Sequence, residues 1–180
     1  MSEQAGVDPS AYRRAMSRLP TGVTLVTTVA ADQPEVMTAN AVMSVSLDPL
    51  LLVVSVKAPS RWLSAVADHG AFAVNVLAEH HAPLSRWGAS SARHLTHDPL
   101  NGWSAHASAQ TGCALLEDAA AQFDCVLDAV HGAGDHALVV GRVLATAASE
   151  LVRPLVFHAS RYVAVGDPVP EEGLSSSAAG

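Results

Sequence analysis

The only lysine of the sequence, Lys57, stands three residues before Ser60, which Arg61 follows. An apolar run ends at Lys57, and serine commonly caps helices, so these residues lie at a predicted strand-to-helix junction. Free backbone N–H groups and the helix dipole favour an anion at such a junction, and the two cationic side chains add positive charge. The spacing predicts a phosphate site, and the alternative is an ordinary serine cap with solvated charges.

Small and hydroxyl-bearing residues fill the segment 37–49, where a core strand would carry bulky aliphatic side chains. A strand of this composition allows a flat ligand to approach its backbone closely. The candidate ligand contacts in this segment are Thr38, Ala39, Asn40, Ala41, Ser44, Val45 and Ser46. The alternative is a small-residue strand packed beneath a helix.

Some further polar or aromatic positions suit either a ligand or the fold. Trp62 either covers a flat ligand ring or fills the core, and Asn75 either reaches the ligand or satisfies backbone groups. Residues 131–136, with the sequence His-Gly-Ala-Gly-Asp-His, predict a glycine-rich hairpin turn. Most turns of this kind carry no chemistry.

Other chemistries are not favoured by the residue spacing. Gly132 and Gly134 lack the following glycine and helix of a dinucleotide-binding fold, so no Rossmann site is predicted. No GxSxG nucleophile elbow is present. Without a helical HExxH pattern or a cysteine set, solvated loop residues fit better than metal ligands for His80, His81, His94 and His97. We therefore predict no metal.

Length, charge and cysteine content narrow the class of protein. The 180 residues suit one domain with its own core, and the net charge of −7 is offset by no basic run, so nucleic acid is not an expected partner. Cys113 and Cys125 form no CxxC pair, which favours a reduced, cytosolic setting. No leader and no apolar run near the ~20 residues of a membrane span is present, so we expect a cytoplasmic protein without membrane contact.

The apolar content is high for a domain of this size. Apolar residues make up 49% of the chain and the mean hydropathy is +0.26. This excess favours a homodimer that covers apolar surface, and a merely alanine-rich composition is the alternative.

The residue pattern predicts strands joined by turns, with a few helices. Asp8 and Pro9 begin a short amphipathic helix that ends before Pro20. The expected strands are 23–28 and 35–41, which form a hairpin, then 50–56 (central and covered on both faces), 71–77, 119–130 (alternating, half-buried), 137–147 and 154–158. Helices are expected at 61–68 and 79–87, and a long loop at 88–106. Without regular βαβ alternation, the fold class is mainly β, an antiparallel barrel with a few helices.

Several of these segments, taken in order, carry a family resemblance. They are Arg13 and Arg14, residues 21–24, residues 37–49, residues 72–77, and the triplet Gly134, Asp135 and His136. From about Tyr12 to Tyr162 the chain resembles the short-chain flavin reductases, the NAD(P)H:flavin oxidoreductase components of two-component monooxygenases. The resemblance implies an FMN-binding split barrel of antiparallel Greek-key topology over residues 10–165, with an N-terminal tail at 1–9 and a disordered tail at 166–180.

The resemblance also implies roles for the candidate residues. Residues 38–41 and 44–46 would line the isoalloxazine ring and ribityl chain of FMN or FAD, with the flavin phosphate near Lys57, Ser60 and Arg61. His136 would contact the nicotinamide nucleotide as the catalytic residue, and Asp135 would orient it or shape the turn. Arg161 and Tyr162 would border the same site, or form a salt bridge and a surface ring.

The implied activity is hydride transfer from NADH, favoured over NADPH by the shortage of basic residues, to FMN or FAD. Reduced flavin would then diffuse to a partner monooxygenase. Two departures from the family pattern are Pro20, where relatives often have alanine, and Trp87 with Gly88, which replace a phenylalanine-containing segment. The alternatives are a pyridoxamine-phosphate-oxidase-like enzyme on the same barrel and a non-catalytic flavin-binding module.

Overall fold

The computed structural model describes residues 6–96 and 98–168. The α-helices are α1 (Pro9–Met16), α2 (Arg61–His69) and α3 (Ala82–Ala89), and short 3-10 helices span Glu79–His81 and Ser91–Leu95. The strands are β1 (Thr21–Gly22), β2 (Thr24–Ala30), β3 (Gln33–Ala39), β4 (Val42–Leu47), β5 (Leu50–Lys57), β6 (Ala71–Val76), β7 (Ala105–Ala107), β8 (Ala114–Leu116), β9 (Ala121–Ala133), β10 (His136–Ala148), β11 (Leu155–His158) and β12 (Arg161–Ala164).

The main sheet has seven antiparallel strands in the order β3-β2-β6-β9-β10-β5-β4. Strands β3 and β4 lie at opposite ends of this order, yet only Asn40 and Ala41 separate them along the chain. Three residue steps span at most about 11 Å, so the sheet must curl until its two edges meet. Ser55 N–H of β5 donates to Ala41 O at 2.9 Å at this closure. The predicted antiparallel barrel is confirmed.

The barrel interior is one apolar core. Alternate residues of β5 and β10 point into it, and α2 closes it with Trp62 and Val66. Trp62 packs edge-on against Phe72, with ring centroids 5.8 Å apart. The helix begins where Ser60 Oγ accepts from Leu63 N–H at 3.2 Å, and it ends at Gly70, whose φ of 77° a glycine adopts without strain. The predicted cap and helix end are confirmed.

A second apolar core lies on the other face of β2 and β3. Leu25 and Val36 belong to it while their neighbours Val26 and Met37 belong to the barrel core, as the two-residue period of a strand requires. Helix α3, the hairpin β7-β8 and the small sheet β1-β11-β12 cover this face. A Cβ on Gly88 of α3 would lie 2.5 Å from Thr38 Oγ1, so only glycine fits there without displacement. This contact gives a physical reason for the departure at Gly88.

Some sequence expectations need correction. Strand β5 is fully buried on one face only, because Leu52, Val54 and Val56 lie in the barrel core while the residues between them are partly exposed. The alternation predicted for 119–130 puts Asp124 on the solvent face of β9, but Asp124 is buried and accepts hydrogen bonds from Ser108 and Thr111. The expected loop 88–106 contains the end of α3, a 3-10 helix and the start of β7. The predicted helix start at Asp8 and Pro9 is confirmed, because Asp8 caps α1 and Pro9 is its first residue. Most of the predicted disordered tail, residues 169–180, lies outside the described residues.

Both cysteines are free and buried. Burial raises the pKa of the Cys113 thiol to about 11 and that of Cys125 to about 12, so neither is a reactive thiolate near neutral pH. Residues 6–96 and 98–168 include no helix that is both long and apolar enough to cross a membrane.

Candidate functional site

Lys57, at the end of β5, lies directly opposite His136, at the start of β10. Residues paired across antiparallel strands share a face, and their neighbours Val56 and Ala137 point into the barrel core. The side chains of Lys57 and His136 therefore point outward, on the outer face of the barrel. His136 is 43% exposed there and accessible to a ligand.

Asp135 fixes the orientation of the His136 ring. Its Oδ1 lies 2.8 Å from His136 Nδ1, so that nitrogen carries the hydrogen and Nε2 is left for a ligand. The hydrogen bond from His136, with the charges of His136 and Lys57, holds the pKa of Asp135 below its ordinary value of 3.8. Ala58 N–H donates to Asp135 O at 3.0 Å, which ties the β9–β10 turn to the segment leading into α2.

The N-terminus of α2 continues this site. The first N–H groups of a helix, here those of Arg61 and Trp62, have no partner within the helix and are donors suited to a phosphate. The Arg61 side chain is 58% exposed and turns toward β3, where its Nε lies 2.9 Å from Glu35 Oε2. The donor set at this junction fits the phosphate of a flavin nucleotide.

The β3–β4 corner lies close to the same end of β5. Ala41 is hydrogen-bonded to Ser55, two residues before Lys57, so Asn40 and Ala41 border the site. Ser44 pairs with Leu52, five residues along β5 from Lys57 and therefore about 16 Å away at ~3.3 Å per residue. Ser44 and Ser46 instead line an apolar cavity of about 320 Å³ at the far end of β4, and a β-bulge leaves Val45 without a partner.

The side chains of two predicted contacts point away from the face of His136, and their role as ligand contacts stays a prediction. Thr38 and Ala39 are neighbours on β3 and face opposite sides. Thr38 Oγ1 donates to Ser85 O of α3 at 2.7 Å, on the side of the second core. Ala39 points into the barrel core and is buried. In this chain neither side chain lies on the face of His136.

Trp62 and Asn75 serve the fold. Trp62 has no exposed surface and fills the barrel core. Asn75 is likewise fully buried: its amide nitrogen donates to Leu25 O and Ala114 O, and its Oδ1 accepts from Leu116 N–H. The structure therefore supports the structural alternative for both side chains, and their contact with a ligand stays a prediction.

Arg161 and Tyr162 lie on β12, on the side of the second core. The Tyr162 hydroxyl is 2.8 Å from Ser85 Oγ, and Arg86 lies over its ring at 5.2 Å. Arg161 is exposed opposite His158. The structure does not group these residues with His136, and their place at the nicotinamide site stays a prediction.

The histidines considered as metal ligands have other partners. Within the described residues, ligand atoms of His80, His81 and Asp118 all lie within 4.8 Å of one another. However, His81 Nδ1 accepts from Ala78 N–H at 3.0 Å, which puts the ring hydrogen on Nε2, 3.0 Å from Asp118 Oδ1. A metal would have to displace that hydrogen, so the group fits a hydrogen-bonded cluster better. His97 lies outside the described residues.

Sequence reasoning missed two groups at the site. His131 pairs with Leu138 and therefore shares the outer face of His136. Glu35, a carboxylate on β3 with the inward parity of Met37, binds Arg61 and lies 3.4 Å from His94 Nδ1. The signal for Glu35 was a charged residue at an inward position of an alternating strand.

These features define the class of protein: an antiparallel split barrel with a candidate nucleotide site on its outer face. The model of the flavin reductase like domain matches residues 16–166. The chain belongs to this family, which confirms the resemblance inferred from the sequence.

Individual relatives support the assignment to this family. The NADH-dependent FMN reductase AsuE2 of Streptomyces nodosus subsp. asukaensis is 37% identical over 171 residues, 91% of this chain and 89% of that protein. HsaB, the reductase subunit of a flavin-dependent monooxygenase of Rhodococcus jostii (strain RHA1), is 30% identical over 165 residues, 88% of this chain and 79% of that protein. The crystal structure of BorF, the flavin reductase component of a bacterial two-component tryptophan halogenase, superposes with a TM-score of 0.80 at 34% identity, covering 89% of this chain and all of that one.

Proposed function

We propose that this protein is an NAD(P)H-dependent flavin reductase that transfers a hydride from NADH to FMN or FAD and supplies reduced flavin to a partner monooxygenase. The observation that carries this function is the grouping of Lys57, Asp135 and His136 beside the start of α2, in a chain of the flavin reductase family. The names of AsuE2 and HsaB support the same activity.

The flavin phosphate binds at the junction of β5 and α2. The free N–H groups of Arg61 and Trp62 donate to it, and the ammonium of Lys57 adds charge in a protein with a net charge of −7. The corner at Asn40 and Ala41 borders the rest of the flavin. Bound flavin accepts the hydride and supplies the electronic part of the reaction.

His136 positions the nicotinamide nucleotide. Because Asp135 holds the Nδ1 side of the ring, Nε2 presents a fixed contact to NADH. No protein nucleophile takes part. The protein holds both rings in contact and excludes water, and this positioning provides much of the rate acceleration.

A homodimer completes the site. The outer face of β4, β5 and β10 carries Met43, Val53 and Leu138 in one apolar surface next to His136, and β4 is an edge strand that pairs only with β5. Met43 is 63% exposed and Leu138 is partly exposed. An apolar surface beside an open nucleotide site is the kind that a second copy covers, and the second copy would then supply the missing wall.

The partner enzyme is a flavin-dependent monooxygenase that receives reduced flavin by diffusion. HsaB is named as the reductase subunit of such an enzyme. A site open on the outer face suits this role, because a flavin that must leave should not be enclosed on all sides.

The first experiment is aerobic oxidation of NADH by the purified protein, followed at 340 nm with FMN, FAD or no flavin. Flavin-dependent oxidation is the expected result, and the two flavins are ranked in the same assay. Flavin binding by fluorescence quenching without NADH oxidation would exclude the reductase and favour a non-catalytic binding module or a pyridoxamine-phosphate-oxidase-like enzyme. NADPH in place of NADH tests the nucleotide preference.

A further inference from the structure

A polar cavity of about 250 Å³ lies between the β2–β3 hairpin, the start of α2 and the segment after α3. We call it the Glu35 cavity. Its polar side chains include Glu35, Arg61 and Arg93, and its apolar wall includes Ala31, Pro34 and Pro99. It shares Arg61 with the proposed flavin phosphate site but extends away from the face of His136, toward the hairpin.

Unsatisfied polar atoms concentrate here. In the part of the chain that the structure describes, five buried side-chain N or O atoms lack a hydrogen-bond partner, and Glu35 Oε1, Arg93 Nε and His94 Nδ1 are three of them. The Glu35 side chain is only 7% exposed. Such groups are costly to bury without hydrogen bonds, and a polar molecule in this cavity would supply them.

The charges indicate what kind of molecule fits. Glu35 Oε2 is paired with Arg61 Nε, whereas Oε1 lies 3.4 Å from His94 Nδ1 without hydrogen-bond geometry and can still accept from a donor. Arg93 donates to Ser90 O at 2.7 Å through one terminal nitrogen, and its Nε is left as a donor. The cavity therefore offers guanidinium groups to an anion and a carboxylate oxygen to a hydroxyl within one small volume.

We propose that the Glu35 cavity binds the adenosine 5′-phosphate part of a dinucleotide, an inference that rests on the proposed function because FAD and NADH both contain this unit. Arg93 and Arg61 bind the phosphate, and Glu35 Oε1 accepts from a ribose hydroxyl, a use of carboxylates common in nucleotide sites. Pro34 and Pro99 provide a flat apolar surface for the base. The cavity is smaller than the ~300–1,000 Å³ of sites for whole ligands, which suits one end of a longer molecule.

The test uses 5′-AMP as the probe, with binding to the full chain measured by calorimetry. Glu35→Gln removes the negative charge of the proposed acceptor, and Arg93→Gln removes the guanidinium. Glu150→Gln and Arg18→Gln make the same chemical changes at exposed positions outside the cavity. We expect the first pair to weaken AMP binding at least ten-fold and the second pair to leave it unchanged. Melting curves identify any variant that does not fold. If one of the two cavity variants does not fold, AMP binding by the other one tests the proposal.

Inhibition by AMP identifies which dinucleotide uses the cavity. AMP that raises the KM for FAD points to the flavin, whereas AMP that raises the KM for NADH with FMN as acceptor points to the nicotinamide nucleotide. AMP that raises the KM for FMN would show that the cavity belongs to the flavin phosphate site and would overturn the proposal, as would a wild-type protein that does not bind AMP.

The two proposals can fail separately. If the wild-type protein reduces FMN but does not bind AMP, the reductase proposal stands and the Glu35 cavity is not an adenosine site. If the protein binds AMP through Glu35 and Arg93 but reduces neither flavin, the Glu35 cavity is an adenosine site and the reductase proposal fails.

Discussion

Lys57 and His136 are cross-strand partners on the outer face of the barrel, one at the end of β5 and the other at the start of β10. They are 79 residues apart in sequence (136 minus 57), and only the antiparallel register brings them together. The pair places a permanent positive charge beside an oriented imidazole, which is a suitable arrangement for a phosphate-bearing flavin next to a nicotinamide nucleotide.

His136→Ala should raise the KM for NADH far more than the KM for flavin. Removing a hydrogen bond to a charged ligand costs about 1.5–3 kcal/mol, roughly ten-fold or more in KM. Initial rates measured over a range of NADH concentrations at saturating FMN give this value. His106→Ala, which removes a histidine of β7 outside the site, is the matched control. An unchanged KM for NADH would remove His136 from the nicotinamide site.

Lys57→Gln should weaken the binding of flavins that carry a phosphate and leave the binding of riboflavin, which has none, unchanged. Loss of one charge next to a phosphate is expected to raise the KM for FMN about ten-fold, or ~1.4 kcal/mol. The wild-type KM for FMN should also rise with salt, because exposed charges are screened. Equal effects on FMN and riboflavin would place the Lys57 ammonium away from the phosphate.

Gly141→Ala should destabilise the barrel. A Cβ at this position of β10 would lie 2.4 Å from Cζ of Phe72, a fully buried ring with no room to move. Overpacking of this kind costs about 1–3 kcal/mol in the free energy of unfolding, measurable by urea denaturation. Gly132→Ala provides the control, because a Cβ there has no atom within 4 Å. Equal stability of the two variants would show that Phe72 can shift.

Local patterns in the sequence were sufficient for most of the secondary structure. Ser60 and Gly70 mark the ends of α2 through chemistry that acts within a few residues, and Ala31 and Asp32 form the turn of the predicted hairpin. The prediction of a barrel rested on the absence of βαβ alternation in the sequence. The outward position of Lys57 could not be inferred, because residues 50–56 form an almost continuous apolar run and the alternation of β5 is seen only in its burial.

What the sequence could not reveal depends on partners far along the chain. Thr38 looked like a ligand contact, but Ser85, 47 residues later, accepts its hydroxyl. Asn75 is similar, since its three hydrogen-bond partners come from two other segments. A polar side chain in a segment of small residues can form a hydrogen bond either to a ligand or to a buried backbone group. Tertiary packing decides between the two, and it has no local signature.

Met43→Lys should convert the proposed dimer to a monomer. The side chain is mostly exposed in the single chain, so a charge there leaves the fold intact but is costly to bury between two copies. Leu151→Lys is the control, because Leu151 is 96% exposed at a distant turn. Light scattering after size-exclusion chromatography reports the mass. A wild-type monomer, or a Met43→Lys dimer, would contradict the assignment of this face.

Stability should fall as the pH is lowered from 7.5 to 5.5, and His81 should be one cause. Burial lowers the pKa of His81 below its ordinary value of 6.5, although the charge of Asp118 acts in the opposite direction. The unfolded chain therefore binds a proton that the folded chain resists, so the stability present above about pH 6.5 is lost as the pH falls through the folded pKa. Burial acts to raise the pKa of Asp118, but the hydrogen bond from His80 and the charge of His81 hold it below 3.8, so its own contribution is lost only at lower pH.

His81→Gln separates this contribution from those of the other histidines. The variant cannot titrate at this position, so its free energy of unfolding should be lower at pH 7.5 but should change less between pH 7.5 and 5.5 than that of the wild type. Urea denaturation at three pH values in this interval provides the comparison. Parallel pH profiles for the two proteins would mean that His81 keeps the same pKa in the folded and unfolded states, and that its bonds to Ala78 and Asp118 do not favour the neutral ring.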